Sequence, residues 1–313
     1  MKGKQGMVCM GLLLVLSSCH TGKQITASGL QRKDFQTEVN GQHTDLFTLS
    51  NKQGMEVCIT NYGARVVSIL VPDRNGKRED VVCGFSTITE YMEQRQNFGS
   101  TVGRYIGRIL NARFTLDGVE YKLVPNNGKS GHISHGGNPG FADRIWKVEQ
   151  ADTHRVCLSY LSPDGENGFP GNLKVTLVYS LGEDDNALDL TYEATTDAPT
   201  VLNLSHHSFF NISGNFTKSV EDQQLWVDAD RFTPYDDKKC VTGEYLQVAG
   251  TPLDFRMPHA IGECIDADHP QLKVVNGYDH TWELNTKGDD TRPAAWVYDP
   301  ASGRKMEIFT TEP

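Results

Sequence analysis

The chain has 313 residues, 30 Lys+Arg against 40 Asp+Glu, and a formal net charge of −10. With 38% hydrophobic residues and 30 glycines, it is neither a disordered tail nor a membrane bundle. The acidic excess argues against nucleic acid as a partner, because phosphate binding is driven by clustered Lys and Arg, and no run of 18 apolar residues exists to span a bilayer.

Lys2 and Lys4 precede an apolar stretch from Met7 to Leu16, and Leu16-Ser17-Ser18-Cys19 follows. That is the layout of a secretory signal, and the Leu-Ser-Ser-Cys ending resembles a bacterial lipobox. Residues 1–18 are therefore expected to be removed, Cys19 to carry lipid, and residues 19–34 to form a polar tether. The chain would be an exported lipoprotein, facing periplasm or cell exterior and touching the membrane through its lipid alone.

The strongest periodicity beyond the tether is two. Short alternating runs occur at 46–49, 55–60, 65–71, 113–116, 119–123, 146–148 and 155–161. Leu173, Val175, Leu177 and Tyr179 alternate with polar positions, then an acidic turn at 183–186 leads to Leu188, Leu190, Tyr192 and Ala194. That pair predicts an antiparallel hairpin. Further runs lie at 225–228, 282–284, 294–298 and 305–310, with turn signals such as Asp117-Gly118 between runs. Only Thr87–Arg95 predicts a helical turn or two. The pattern is all-β, a large antiparallel β-sandwich over residues 35–313, in one domain. Five cysteines follow Cys19, none at C-x-x-C spacing. Cys58 and Cys157, flanked by apolar residues, are expected as buried small hydrophobes, with no disulfide framework.

Histidine is the informative residue type. His132, His135, His206, His207, His259 and His280 stand beside glycines, aromatics or an aspartate. Adjacent strand residues point to opposite faces, so at most one of His206 and His207 should face a given site. His132-x-x-His135 lacks the second cluster that a metal site wants. The glycines at 99, 103 and 107 lack G-K-[ST], and G-x-S-x-G is absent. Calcium is considered at Asp228, Asp230, Asp236 and Asp237, but no D-x-D-x-D-G loop is present.

Several motifs, in order, raise the reading above these fragments. Gly103-Arg104-Tyr105-Ile106-Gly107-Arg108-Ile109, His135-Gly136-Gly137 and the run Asp164 to Leu173 resemble the aldose 1-epimerase (galactose mutarotase) family. So do Asn203-Leu204-Ser205-His206-His207-Ser208-Phe209-Phe210-Asn211, Thr251 to Arg256, and Gly277-Tyr278-Asp279-His280. The resemblance covers about residue 35 onward. It implies a β-supersandwich that interconverts α and β anomers of free aldoses such as galactose or glucose, needing no cofactor. By resemblance His207 is the general acid at the ring oxygen, a role suited to imidazole. Arg108 and His135 would bind sugar hydroxyls, Asp279 would accept from them, and Phe209, beside Ser208, would form an apolar platform. Gly107 and His206 each stand where many members have Asn.

The resemblance also places the general base on a strand beyond a Thr-Thr-Glu-Pro motif, whereas Thr310-Thr311-Glu312-Pro313 are the last residues here. The sequence is therefore expected to lack the family's final strands and that glutamate. Glu307 alternates with Met306 and Ile308 and reads as a solvent-facing strand residue. Two alternatives stay open: a lipid-anchored sugar-binding protein without catalysis, and a hexose-phosphate epimerase of the same fold. Monomer is the default expectation.

Overall fold

The computed structural model describes residues 24–313; the expected signal segment 1–18 and Cys19 lie outside the described residues. Two four-stranded antiparallel sheets share one core. The first orders Leu46–Ser50, Glu56–Thr60, Arg65–Pro72 and Arg78–Asp80. The second orders Lys147–Ala151, Arg155–Ser162, Leu173–Leu181 and Leu188–Thr196.

Period two explains the second sheet. Along Leu173–Leu181 every odd-numbered residue is buried, and the strand pairs with Leu188–Thr196 from Leu173 opposite Thr196 to Leu181 opposite Leu188. Val175, Leu177 and Tyr179 meet Val57, Ile59 and Val66 of the first sheet in the main core. The Tyr179 hydroxyl crosses that core to donate to the Ala64 carbonyl at 2.7 Å. The expected hairpin is present, and each arm runs nine residues.

Glu56–Thr60 is buried at every position because both of its faces are covered. Val57 and Ile59 face the main core, while Cys58 packs with Phe35, Val67, Ile88 and Tyr91. The last two belong to the expected short helix, Ile88–Gln94. Thr87 caps it by accepting from the Glu90 N–H at 3.2 Å, and Arg95 ends it in the left-handed region.

Two expectations need correction. Residues 24–34 are not a tether but part of the domain. Thr26 is 5% exposed, Ile25 bridges to Gln31, and the Ala27 N–H donates to the Glu56 carboxylate at 2.6 Å. A carboxylate buried in the first sheet needs such donors, and this segment supplies them. Cys58 is fully buried as expected, but Cys157 is only half-buried, because the core side of its strand is filled by Val156 and Leu158. All five cysteines among the described residues are free.

The remaining chain forms two smaller sheets. One orders His259–Ala260, Gln224–Val227, Ala295–Tyr298 and Lys305–Ile308; the other orders Leu246–Gln247, Arg231–Thr233 and Thr281–Glu283. Tyr278 and Trp282 join their two cores. Glu307 is exposed, opposite Trp296, and faces solvent as expected. The fold is all-β.

Candidate active site

Residues from four distant stretches gather at one rim: 107–108, 135, 207–209 and 279. Very short strands carry them. Ser205–His206 pairs with Thr101–Val102, and Arg108–Ile109 pairs with Ile133–Ser134.

His207 is fixed by its main chain. Its N–H donates to the Ser100 carbonyl at 2.8 Å, and its carbonyl accepts from the Gly99 N–H at 3.0 Å. Gly99 has φ +65°, and a Cβ there would stand 1.9 Å from the Val66 carbonyl oxygen. Only glycine lets the first sheet approach the histidine turn so closely. Arg65 secures the same turn from beneath, its fully buried guanidinium donating to the carbonyls of Gln96, Phe98 and Ala142.

Alternation then sends His206 and His207 to opposite sides, as expected. His206 turns inward. Because the Tyr179 hydroxyl donates to Ala64, it can only accept from His206 Nδ1–H, at 3.5 Å. His206 Nε2 is therefore bare and accepts from the Ser208 hydroxyl at 2.7 Å. Ser208, expected at the sugar, has its hydroxyl engaged by His206. Burial, then the charges of His207 and Arg65, push the His206 pKa down to about 4.

His207 turns outward. Its ring lies 5.2 Å from the His135 ring, edge to face, and 5.1 Å from Phe209. Phe209 is 46% exposed and leans on Phe98, an open apolar ledge. Burial lowers the His207 pKa from its ordinary value, and the Asp279 carboxylate pulls it back upward. Asp279 is exposed at the same rim, following the helix Pro270–Val275 and preceding the strand Thr281–Glu283.

His135 adopts φ +53° and bonds twice to one residue: its N–H donates to the Gly107 carbonyl at 2.9 Å, and its Nδ1 accepts from the Gly107 N–H at 3.3 Å. The ring proton must sit on Nε2. Burial first, then His207 and Arg108, hold its pKa at about 4, so His135 is a neutral donor at pH 7. Gly107 has φ +80°, and a Cβ there would meet nothing within 4 Å. Arg108 is half-buried and donates to the Lys239 carbonyl at 2.9 Å. Arg104 of the same motif is different: it is 1% exposed and spends its donors on Ser162, Pro163 and Pro170.

The loop after His135 is held by the acidic motif that follows it in sequence. Asn167 Nδ2 donates to the carbonyls of Gly136 and Pro139, both at 2.9 Å. Its neighbour Glu166 accepts from Tyr160, Arg144 and Ser162. At Gly136, with φ +79°, a Cβ would fall 1.9 Å from the Gly103 carbonyl oxygen. Gly136→Ala is expected to cost about 2 kcal/mol or more, seen as a lower urea midpoint at unchanged slope. A wild-type midpoint would show that the loop can move aside.

Other candidates fall away from the rim. His132 is fully buried and its Nδ1 accepts from the Asn111 N–H, so it and His135 serve different backbone amides and form no metal pair. His259 stacks on Phe255 at 4.5 Å. No group of three or more His, Cys, Asp or Glu among the described residues could hold a metal ion. Three of the four acidic residues weighed for calcium are otherwise employed: Asp228 pairs with Arg292, Asp230 with Arg256, and Asp236 accepts backbone N–H groups of its own loop. Two surface hollows of about 290 and 440 Å³ lie elsewhere, and their walls include the ion pairs Arg231–Glu283 and Arg256–Asp254.

Sequence reasoning missed the network that holds His280, the residue after Asp279. Gln271 accepts from the Tyr235 N–H at 2.8 Å and donates to its carbonyl at 3.0 Å, and His280 Nε2 lies 3.2 Å from Gln271 Oε1. An isolated glutamine on a six-residue helix carries no periodic signal. The assembled rim offers a cation, a neutral N–H donor, a carboxylate, an apolar ledge and an imidazole able to exchange protons. Such a set suits a ring rich in hydroxyls.

The family model described as aldose 1-epimerase matches residues 45–313. A galactose mutarotase of Sus scrofa is 37% identical over 267 residues, covering 85% of this chain and 75% of that protein. An aldose 1-epimerase of Escherichia coli is 36% identical, covering 88% and 78%. Among solved structures, a galactose 1-epimerase from Lactobacillus acidophilus superposes with a TM-score of 0.74 at 31% identity, covering 84% of this chain and 75% of that one.

Proposed function

Because the chain belongs to the aldose 1-epimerase family, an isomerase family, we propose that it interconverts the α and β anomers of free hexoses such as galactose and glucose. The observation that carries the reading is the outward imidazole of His207, set against His135 and Phe209 and electrostatically coupled to Asp279. His207 gives its proton to the ring oxygen as the C1–O5 bond opens, and a carboxylate takes the proton of the anomeric hydroxyl. Rotation about C1–C2 and closure from the other face give the second anomer. Only proton transfers are required. Arg108 and the His135 Nε2–H orient the hydroxyls, Asp279 accepts from them, and Phe209 carries the apolar face of the ring.

Polarimetry of freshly dissolved α-galactose and α-glucose with residues 20–313 tests this. The expected result is mutarotation faster than in buffer. Galactose binding at the buffer rate would instead favour the second reading, a sugar-binding protein. We also propose export and lipid anchoring at Cys19, on the Lys-rich start, apolar stretch and Leu-Ser-Ser-Cys ending. Cys19→Ser is expected to move the full-length chain from the membrane fraction to the soluble fraction; an unchanged distribution would count against it.

A further inference from the structure

The segment Pro234–Thr242 folds over the rim as a compact loop. Thr242 N–H donates to the Pro234 carbonyl, Asp236 N–H to that of Cys240, and Tyr235 bridges to Val241. Its tip is tied to the site itself, since Arg108 donates to the Lys239 carbonyl at 2.9 Å. Its base is tied to the Asp279 side, since Gln271 clamps both backbone groups of Tyr235. The Tyr235 ring packs 5.4 Å from that of His280, the residue after Asp279. Backbone and ring are thus both held, while the phenolic hydroxyl has no hydrogen-bond partner among the described residues.

We infer that the Tyr235 hydroxyl is a sugar contact and a specificity determinant, binding a ring hydroxyl between Arg108 and Asp279; this rests on the epimerase reading above. Chemistry supplies the reason. Arg108 can only donate and ionised Asp279 can only accept, whereas a sugar hydroxyl does both. A phenol that keeps its proton also does both, and completes a chain of bonds in which each hydroxyl gives and receives. Burial keeps the Tyr235 proton in place, and the charges of Asp279 and Arg108 both reach the phenol. A Cβ at Gly107 would meet nothing within 4 Å, so beside Arg108 residue 107 supplies no polar group and the loop does. As a contact to the hydroxyls given to Arg108 and Asp279, it takes no part in the proton transfer given to His207. It should govern affinity rather than turnover.

Tyr235→Phe keeps the ring against His280 and removes only the hydroxyl. For galactose the expected result is a KM roughly 3- to 10-fold higher, the loss of one neutral hydrogen bond, with kcat within about twofold and an unmoved pH profile. Calorimetric binding of the monodeoxy galactoses supplies the second arm: one of them should bind the wild-type and Tyr235→Phe chains equally well. A variant with unchanged affinity for every sugar overturns the assignment, as does one whose kcat falls while KM holds. A wild-type chain that binds no aldose overturns the epimerase reading itself, and the assignment with it; a wild-type chain that binds galactose isolates the test to Tyr235.

Discussion

His207→Ala is expected to lower the protein-catalysed rate of galactose mutarotation by about 10²- to 10⁴-fold, the range for one positioned acid or base. In free energy that is roughly 3–5 kcal/mol of transition-state stabilisation. Affinity should change far less. Arg108 and His135 are held by their own supports, Lys239 and Gly107. Fold stability should hold too, because the His207 bonds that matter to the backbone are those to Gly99 and Ser100, which alanine retains. The checks are polarimetry for the rate, calorimetry for galactose binding and urea titration for the fold. An alanine variant that turns over at the wild-type rate would remove His207 from the mechanism.

The second large effect is acid lability. His206 and His135 have folded-state pKa values of about 4, mainly from burial, and an ordinary histidine in the unfolded chain titrates near 6.5. Above pH 6.5 both states are neutral at these positions and stability is full. As pH falls from 6.5 to 4 the unfolded chain binds protons that the folded chain refuses, so stability drops by about 1.4 kcal/mol per pH unit for each group. Below pH 4 both states are protonated and the loss levels off. His280 adds in the same direction. Paired carboxylates such as Asp254, whose pKa is lowered by Arg256, respond at lower pH than this window. Urea midpoints at pH 7.5, 6.0 and 4.5 should therefore fall by successive steps. His206→Asn should remove a third to a half of the fall, since an amide does not titrate and its Nδ2 can stand in for the ring Nδ1–H toward Tyr179. A wild-type midpoint independent of pH, or an Asn variant that falls as steeply, would refute this account.

The sandwich was legible in the sequence because its main strands are long. Nine residues of strict alternation from Leu173 to Leu181 bury one face and expose the other, and no helix produces that pattern. The strands that carry the chemistry are two residues long, and two residues have no period. Ser205–His206, Arg108–Ile109 and Ile133–Ser134 exist because their backbones find partners far away in the chain. Family resemblance pointed to His207, Arg108, His135 and Asp279, which the structure brings to one rim, but it did not reveal that Ser208 serves His206. That depends on the hydroxyl of Tyr179 being directed at Ala64, a tertiary fact. Residues 24–34 misled for a related reason. A polar stretch reads as a tether until a buried carboxylate, here Glu56, is found to need its N–H groups.

The two ways of holding residues at the rim bear on how the sequence can drift. His207 hangs on peptide bonds to Gly99 and Ser100, and Gly99, at φ +65° against the Val66 carbonyl, has no room for a Cβ, so this turn admits little exchange. Asp279 stands beside a lattice of side chains, Gln271 with Tyr235 and His280, and each is a separate target for substitution. The substitutions this chain tolerates should therefore alter which sugar is preferred well before they disturb proton transfer. Relatives diverging from it would keep one chemistry and scatter in taste, with the variation concentrated in 234–242 and 270–280 rather than in 99–101 and 205–207.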